Sequence, residues 1–214
     1  MPAIDVAFAD FDYYTSSANA VAIHDLVTRI DGSGSLLLFS DSSSASEVIN
    51  FAPKTSVVAA QGLSLGIIQI YIDVDILSSN SQGAGLLCMQ SQRDMTTGGS
   101  AYGVVWRENA AAIDLFKCTN GLDDAANLTI LSSSGLASGQ TALQLGWVLA
   151  SDLSSVSLVV SAGIEQDYSD LMVYLTYQDT TNPLTAHVTE GAFYNGGGSS
   201  ADFSIYMDLM TVKA

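Results

Sequence analysis

The sequence predicts an all-β fold, a two-sheet antiparallel jelly-roll sandwich, and three observations predict it. Apolar residues recur with a period of two over several long segments, no stretch shows a helical period of similar quality, and turn-forming residues punctuate the chain throughout. At 214 residues with 48% hydrophobic and 13% charged residues, the chain has ample material for one core. One sandwich domain over residues 1–214 is the expectation.

In chain order, the first fifty residues are the least regular part, with strands expected at 4–11, 35–39 and 48–51. This segment is the first candidate for wrapping around the sandwich or contacting a neighbouring subunit. A further strand is expected at 56–60. In 68–77, Ile68, Ile70, Ile72, Val74 and Ile76 share one face, and Gln69, Tyr71, Asp73 and Asp75 share the other, as a half-buried antiparallel strand requires. Strands follow at 85–90, 102–108, 113–118, 127–131 and 142–149. The same alternation then runs through Val156, Leu158, Val160, Ala162 and Ile164, through Leu171, Val173, Leu175 and Tyr177, and through Phe203, Ile205, Met207 and Leu209. Asp31-Gly-Ser-Gly, Thr97-Gly-Gly, Asn120-Gly and Asn195-Gly-Gly-Gly supply residues that tolerate positive φ between these elements. The short connection at 109–112 makes 102–108 and 113–118 antiparallel neighbours.

Six Lys and Arg against 22 Asp and Glu give a formal net charge of −16. Such a surface repels phosphate backbones and anionic lipid headgroups, so neither nucleic acid nor membrane is an expected partner. Mean hydropathy is positive, at +0.32, yet no apolar run reaches the roughly 18 to 20 residues of a spanning helix. The N-terminus, Met1-Pro-Ala-Ile-Asp, lacks the pattern of a secretory signal. If the strands form a meander, Cys88 and Cys118 sit on either side of an intervening strand, roughly 9 to 10 Å apart, too far for a disulfide. Both are expected as buried free thiols.

An ordered set of segments carries a resemblance. These are 69–76, Gly85-Leu-Leu-Cys-Met-Gln-Ser-Gln, Tyr102-Gly-Val-Val-Trp-Arg, Gly146-Trp147, 155–164 and Asp202-Phe-Ser-Ile-Tyr-Met-Asp-Leu-Met-Thr-Val. Over residues 65–214 the order resembles the concanavalin A-like, laminin-G-like jelly roll found in lectins, glucanases and phage structural proteins. Membership implies two curved antiparallel sheets, with glycan sites on a concave face or its rim.

Candidate sites follow from residue types. Asp73 and Asp75 lie on one strand face beside Tyr71, a spacing compatible with paired carboxylates in a glycosidase. Glucanases of the resembling fold carry Glu-x-Asp-x-x-Glu on one strand. Here Asp73-Val-Asp-Ile-Leu-Ser lacks both Glu, and hydrolysis is disfavoured. Sugars stack on exposed rings, which makes Tyr71, Tyr174 and the loop residues Phe193 and Tyr194 the glycan candidates, while Trp106 and Trp147 share faces with aliphatic residues and belong in the core. His24 and His187 fall in no nucleophile motif, and two Cys with two His show no zinc spacing. Asp10, Asp12 and Asp208 are candidate calcium ligands at the place where the resembling fold holds a structural ion, with Asp123-Asp124 a second candidate.

The sequence thus predicts a non-enzymatic structural or binding module acting as a homo-oligomer with other virion proteins, as a capsid decoration protein or a tail or fibre component. The alternative is a lectin-like glycan-binding module. A virion location, or alternatively an extracellular one, accompanies these expectations.

Overall fold

A computed structural model describes residues 4–5, 11–16, 20–25, 35–40, 48–54, 64–73, 83–107, 111–135, 140–195 and 203–213. For 4–5, 11, 20–25, 35–40, 73, 195 and 203–213 the description is of backbone pairing alone. The described strands, in chain order, are β1 (Ile4–Asp5), β2 (Phe11–Thr15), β3 (Ala20–Asp25), β4 (Ser35–Ser40) and β5 (Val48–Pro53). There follow β6 (Leu65–Asp73), β7 (Gly83–Gln90), β8 (Ser100–Arg107), β9 (Ala112–Thr119) and β10 (Leu128–Gly135). The last are β11 (Ala142–Leu149), β12 (Val156–Gly163), β13 (Met172–Asp179), β14 (Thr189–Asn195) and β15 (Phe203–Lys213).

The strands form two antiparallel sheets. One runs β13-β12-β11-β6-β15-β4-β3, with β1 also on β15, and the other runs β10-β9-β8-β7-β14-β5-β2. This is the predicted two-sheet sandwich. The first fifty residues are more regular than their composition suggests, since β2 joins one sheet and β3 and β4 join the other. Segment 56–60 and the far end of the expected 68–77 strand lie outside the described residues.

Alternation holds where only one face of a strand is covered. Ile68, Ile70 and Ile72 of β6, Leu143, Leu145 and Trp147 of β11, and Val156, Leu158, Val160 and Ala162 of β12 all enter the core between the sheets. Leu86, Cys88, Tyr102, Val104, Trp106, Ile113 and Leu115 meet them from the other sheet. Both indoles are therefore core, as their faces predict. On β13 the phase slips, because a bulge opposite Val160 and Ser161 of β12 leaves Leu175 inward and turns Val173 out to 63% exposure.

Alternation fails in β7, which is buried along its whole length. Its outer face is covered by two returning loops that carry Met95 and Leu122 onto Leu87, Ala101, Val105, Phe116, Cys118 and Phe193. The loops are tied to each other by Leu122 N–H to Met95 O at 2.8 Å and Asp123 N–H to Thr96 O at 3.1 Å. Asn50 Oδ1 anchors them by accepting from Met95 N–H at 2.9 Å. Gly121 makes the turn possible, with φ of 92° and a Cβ position already filled by the backbone of Thr97 and Gly98.

Cys88 and Cys118 are free and buried. Cys88 pairs with Tyr102 and Cys118 with Ala101 on either side of β8, and they enter opposite cores.

Candidate functional site

Charged and polar side chains at core-facing positions gather at one end of the sandwich. The residues after β13 cross from the eight-stranded sheet to β14 of the other, and this crossover (180–188) closes the end over Tyr102, Lys117 and Asp179. Lys117 continues the inward phase of Ile113 and Leu115 on β9, Tyr102 stands opposite it on β8, and Asp179 continues the inward phase of Leu175 on β13.

Their hydrogen bonds close on one another. The Lys117 ammonium donates to Asp179 Oδ2 at 2.7 Å and to Asn182 O at 2.6 Å. Tyr102 OH donates to the same Asp179 oxygen at 2.6 Å and accepts from Leu184 N–H at 3.0 Å. Asp179 Oδ1 accepts from Thr181 N–H at 2.9 Å, and Lys117 Nζ lies 5.7 Å from the centre of the Tyr102 ring. Burial alone would push the Asp179 carboxyl up, but the hydrogen bonds from Lys117, Tyr102 and Thr181 outweigh it and hold the group below the usual carboxylate range. Burial, followed by the hydrogen bond to Asp179, raises the Tyr102 phenol far above its ordinary value.

The crossover ends in a second pair. His187 Nε2 lies 3.0 Å from Oε2 of Glu190, whose side chain is fully buried, and the imidazole meets the Trp147 indole edge-on at 5.6 Å. Trp147 in turn lies over Gly66 on the neighbouring strand, filling the space a Cβ there would occupy. Beside Glu190, Met89 has a left-handed backbone with φ of 51°, and Cys88 and Met89 both reach the inter-sheet core. Burial, with the nearby Glu190 charge adding to it, raises the Cys88 thiol well above its ordinary value. Burial also raises Cys118, which donates to Gly121 O at 3.1 Å. Neither thiol is activated as a nucleophile.

The sequence-derived candidates fall elsewhere. Tyr71 is half-buried on the outer face of the eight-stranded sheet, where Ala142 and Gly163 continue its row. Its neighbours Gln69 and Ser161 are buried, and Gln69 Nε2 donates to Gln144 Oε1 at 2.8 Å. Asp73 pairs through its backbone with Tyr206, and Asp75 lies outside the described residues. Tyr174 is the extra residue of the β13 bulge, half-buried and packed against the core. The expectation for Phe193 and Tyr194 is corrected. The Gly-rich flank suggested a loop, but both lie in β14 between β5 and β7 and are 2% and 0% exposed. Tyr194 points between the sheets, and Phe193 packs edge-on against Phe116 at 5.7 Å beneath the returning loops. Neither ring is open to a sugar.

Of the calcium candidates, Asp12 is engaged by Arg93, whose Nη2 donates to Oδ2 at 2.8 Å. Asp208 stands on β15, in the other sheet, opposite Tyr71, and Asp10 lies outside the described residues. Asp124 caps a 3-10 turn by accepting from Ala126 N–H at 2.8 Å. Among the described residues, no three His, Cys, Asp or Glu side chains are grouped so as to hold a metal.

No protein-family profile matches the sequence, and no characterised protein matches it by sequence. Solved structures do resemble the fold. A legume lectin-like domain from Entamoeba histolytica is 10% identical, with a TM-score of 0.54 over 95% of this chain and 88% of that one. The cellulose-induced protein Cip1 is 12% identical, with a TM-score of 0.53 over 97% and 92%. An engineered GH43 glycoside hydrolase is 9% identical, with a TM-score of 0.54 over 98% of this chain and 39% of that one. At these identities the likeness speaks for architecture alone, and together with the strand order it shows that the chain has a two-sheet antiparallel β-sandwich fold shared with these structures.

Proposed function

We propose that this protein is a non-enzymatic structural module working as a homo-oligomer, of the kind built into a virion as a capsid decoration protein or a tail or fibre component. The observation that carries this reading is the use made of its interior polar groups. Lys117, Asp179 and Tyr102 spend their hydrogen bonds on one another and on the crossover, joining two sheets rather than facing a substrate. A carboxylate kept ionised by an ammonium, a phenol kept protonated and two thiols raised by burial do not make an acid–base pair or a nucleophile tuned for neutral pH. The strong negative charge favours solubility of such a subunit before assembly.

Static light scattering over a wide concentration range, with and without chelator, tests the reading. A defined oligomer indifferent to chelator supports it, and a monomer at every concentration contradicts it.

A lectin-like role is the second reading, and two observations favour it. Tyr71 keeps part of its ring accessible on the outer sheet face, and one of the similar structures is a lectin-like domain. A glycan array followed by Tyr71→Ala tests this: binding that the substitution abolishes supports a sugar site, and no binding removes it.

A further inference from the structure

We propose that the side of the sandwich formed by β10 and β13 is a self-association wall, and that its occupant is a second copy of this chain related by a two-fold axis. The inference rests on the structural reading above and names the surface that reading needs.

β13 ends the eight-stranded sheet and β10 ends the seven-stranded one, and the two strands lie close together on the same side. In an antiparallel strand every second residue directs its N–H and C=O away from its one neighbour. Among the described residues, no backbone group other than those of β12 bonds to β13, so its outward set is open. Edge strands are ordinarily blunted by charge, Pro or a covering loop. Met172-Val-Tyr-Leu-Thr-Tyr-Gln178 and Leu128-Thr-Ile-Leu-Ser-Ser-Ser-Gly135 carry neither a charge nor a Pro. Met172 is 67% exposed, and Ile130 on β10 is 47% exposed. The acid of β13, Asp179, is its last residue and is turned inward on Lys117, whereas at the opposite edges Asp12 stands within β2 and His24 and Asp25 within β3.

Charge selects the partner. Two molecules of net charge −16 repel wherever carboxylates face each other, and facing strands stand only about 5 Å apart. Of the acids at the two ends of β13, Asp179 is inward on Lys117, and Asp170 accepts from Ile164 and Glu165 N–H at 2.8 and 3.0 Å. A two-fold axis through Thr176 sets Thr176 opposite its own copy and Leu175 opposite Tyr177 of the second copy, each facing pair on one side of the sheet, with no carboxylate facing another. A basic partner would be drawn to the acidic remainder of the surface instead.

The test compares the wild-type chain with Val173→Glu/Thr176→Glu, two exposed β13 positions, and with Val148→Glu as a control on exposed β11 surface. Each is checked for native circular dichroism and measured by light scattering. The wild type and the control should be dimers or even-numbered multiples, and the double variant should be reduced to half that mass at the same concentration. An oligomer that survives Val173→Glu/Thr176→Glu overturns this inference alone. A wild-type chain that is monomeric throughout overturns both the inference and the structural reading on which it rests.

Discussion

Lys117 and Asp179 join the two sheets: the ammonium on β9 and the carboxylate at the end of β13 meet at 2.7 Å, with both side chains nearly buried. A buried pair of this kind stabilises little relative to an apolar pair of the same volume, but removing one partner strands the other. Lys117→Met should therefore cost about 3 to 5 kcal/mol. Lys117→Met/Asp179→Leu should recover most of that loss, less about 1 kcal/mol for the Tyr102 hydroxyl left with one bond fewer. Urea denaturation of the three proteins gives the coupling, and equal losses in the single and double variants would mean that the pair is not coupled.

Acid stability should follow from the same carboxyl. Its folded pKa lies below its unfolded value, so the stability it contributes is present above about pH 4 and is lost as pH falls through the folded value. Asp179→Asn should be less stable than wild type at neutral pH, and the gap should narrow below about pH 4. Thermal melts between neutral pH and pH 3 measure the gap, and a constant difference would contradict the assignment.

On the alkaline side the sign reverses. Tyr102 and Cys88 are raised in the folded state, so their contributions are complete below the unfolded values and decline as pH rises past about 8.5 for the thiol and about 10 for the phenol. Tyr102→Phe should flatten the upper part of that decline, at the expense of a hydrogen bond worth about 1.5 to 3 kcal/mol to the charged Asp179. An unchanged alkaline profile in Tyr102→Phe would exclude the phenol as its source.

Neither cysteine should react with a thiol reagent in the native state, and both should react on unfolding. A titration with a chromogenic disulfide, before and after denaturant, counts them. Rapid native labelling of Cys88 would contradict its position between the sheets.

The seat of Trp147 over Gly66, with His187 against its edge, predicts strong sensitivity to volume. Gly66→Val should cost about 1 to 3 kcal/mol by overpacking and alter the near-ultraviolet circular dichroism of the indole. His187→Ala should remove an edge-on ring contact of about 0.5 to 1.5 kcal/mol. If neither substitution changes that spectrum, the indole does not occupy this seat.

Much of the fold was legible because alternation reports one wet face. β6, β11 and β12 read correctly for that reason, and so did the β8–β9 hairpin and the burial of both tryptophans. β7 gave no such pattern because returning loops cover its outer face, and β14 looked like a loop because glycines follow it. The bulge at Val160 and Ser161 made Val173 appear core when it is exposed. For the polar cluster a signal existed. Lys117 follows Ile113 and Leu115 in the inward phase, and Asp179 follows Leu175 and Tyr177, so each charge stood where only a buried partner makes it tolerable. The pairing itself could not be read, because it crosses between sheets whose strand order the sequence does not contain.

The most direct measurement of assembly through the charge-free side is hydrogen exchange of the β13 amides at high and low protein concentration. If β13 pairs with its copy, alternate amides between Met172 and Gln178 are protected in the concentrated sample and lose protection on dilution through the dissociation range. Identical exchange at both concentrations, in a sample that light scattering shows passing from oligomer to monomer, would contradict the account.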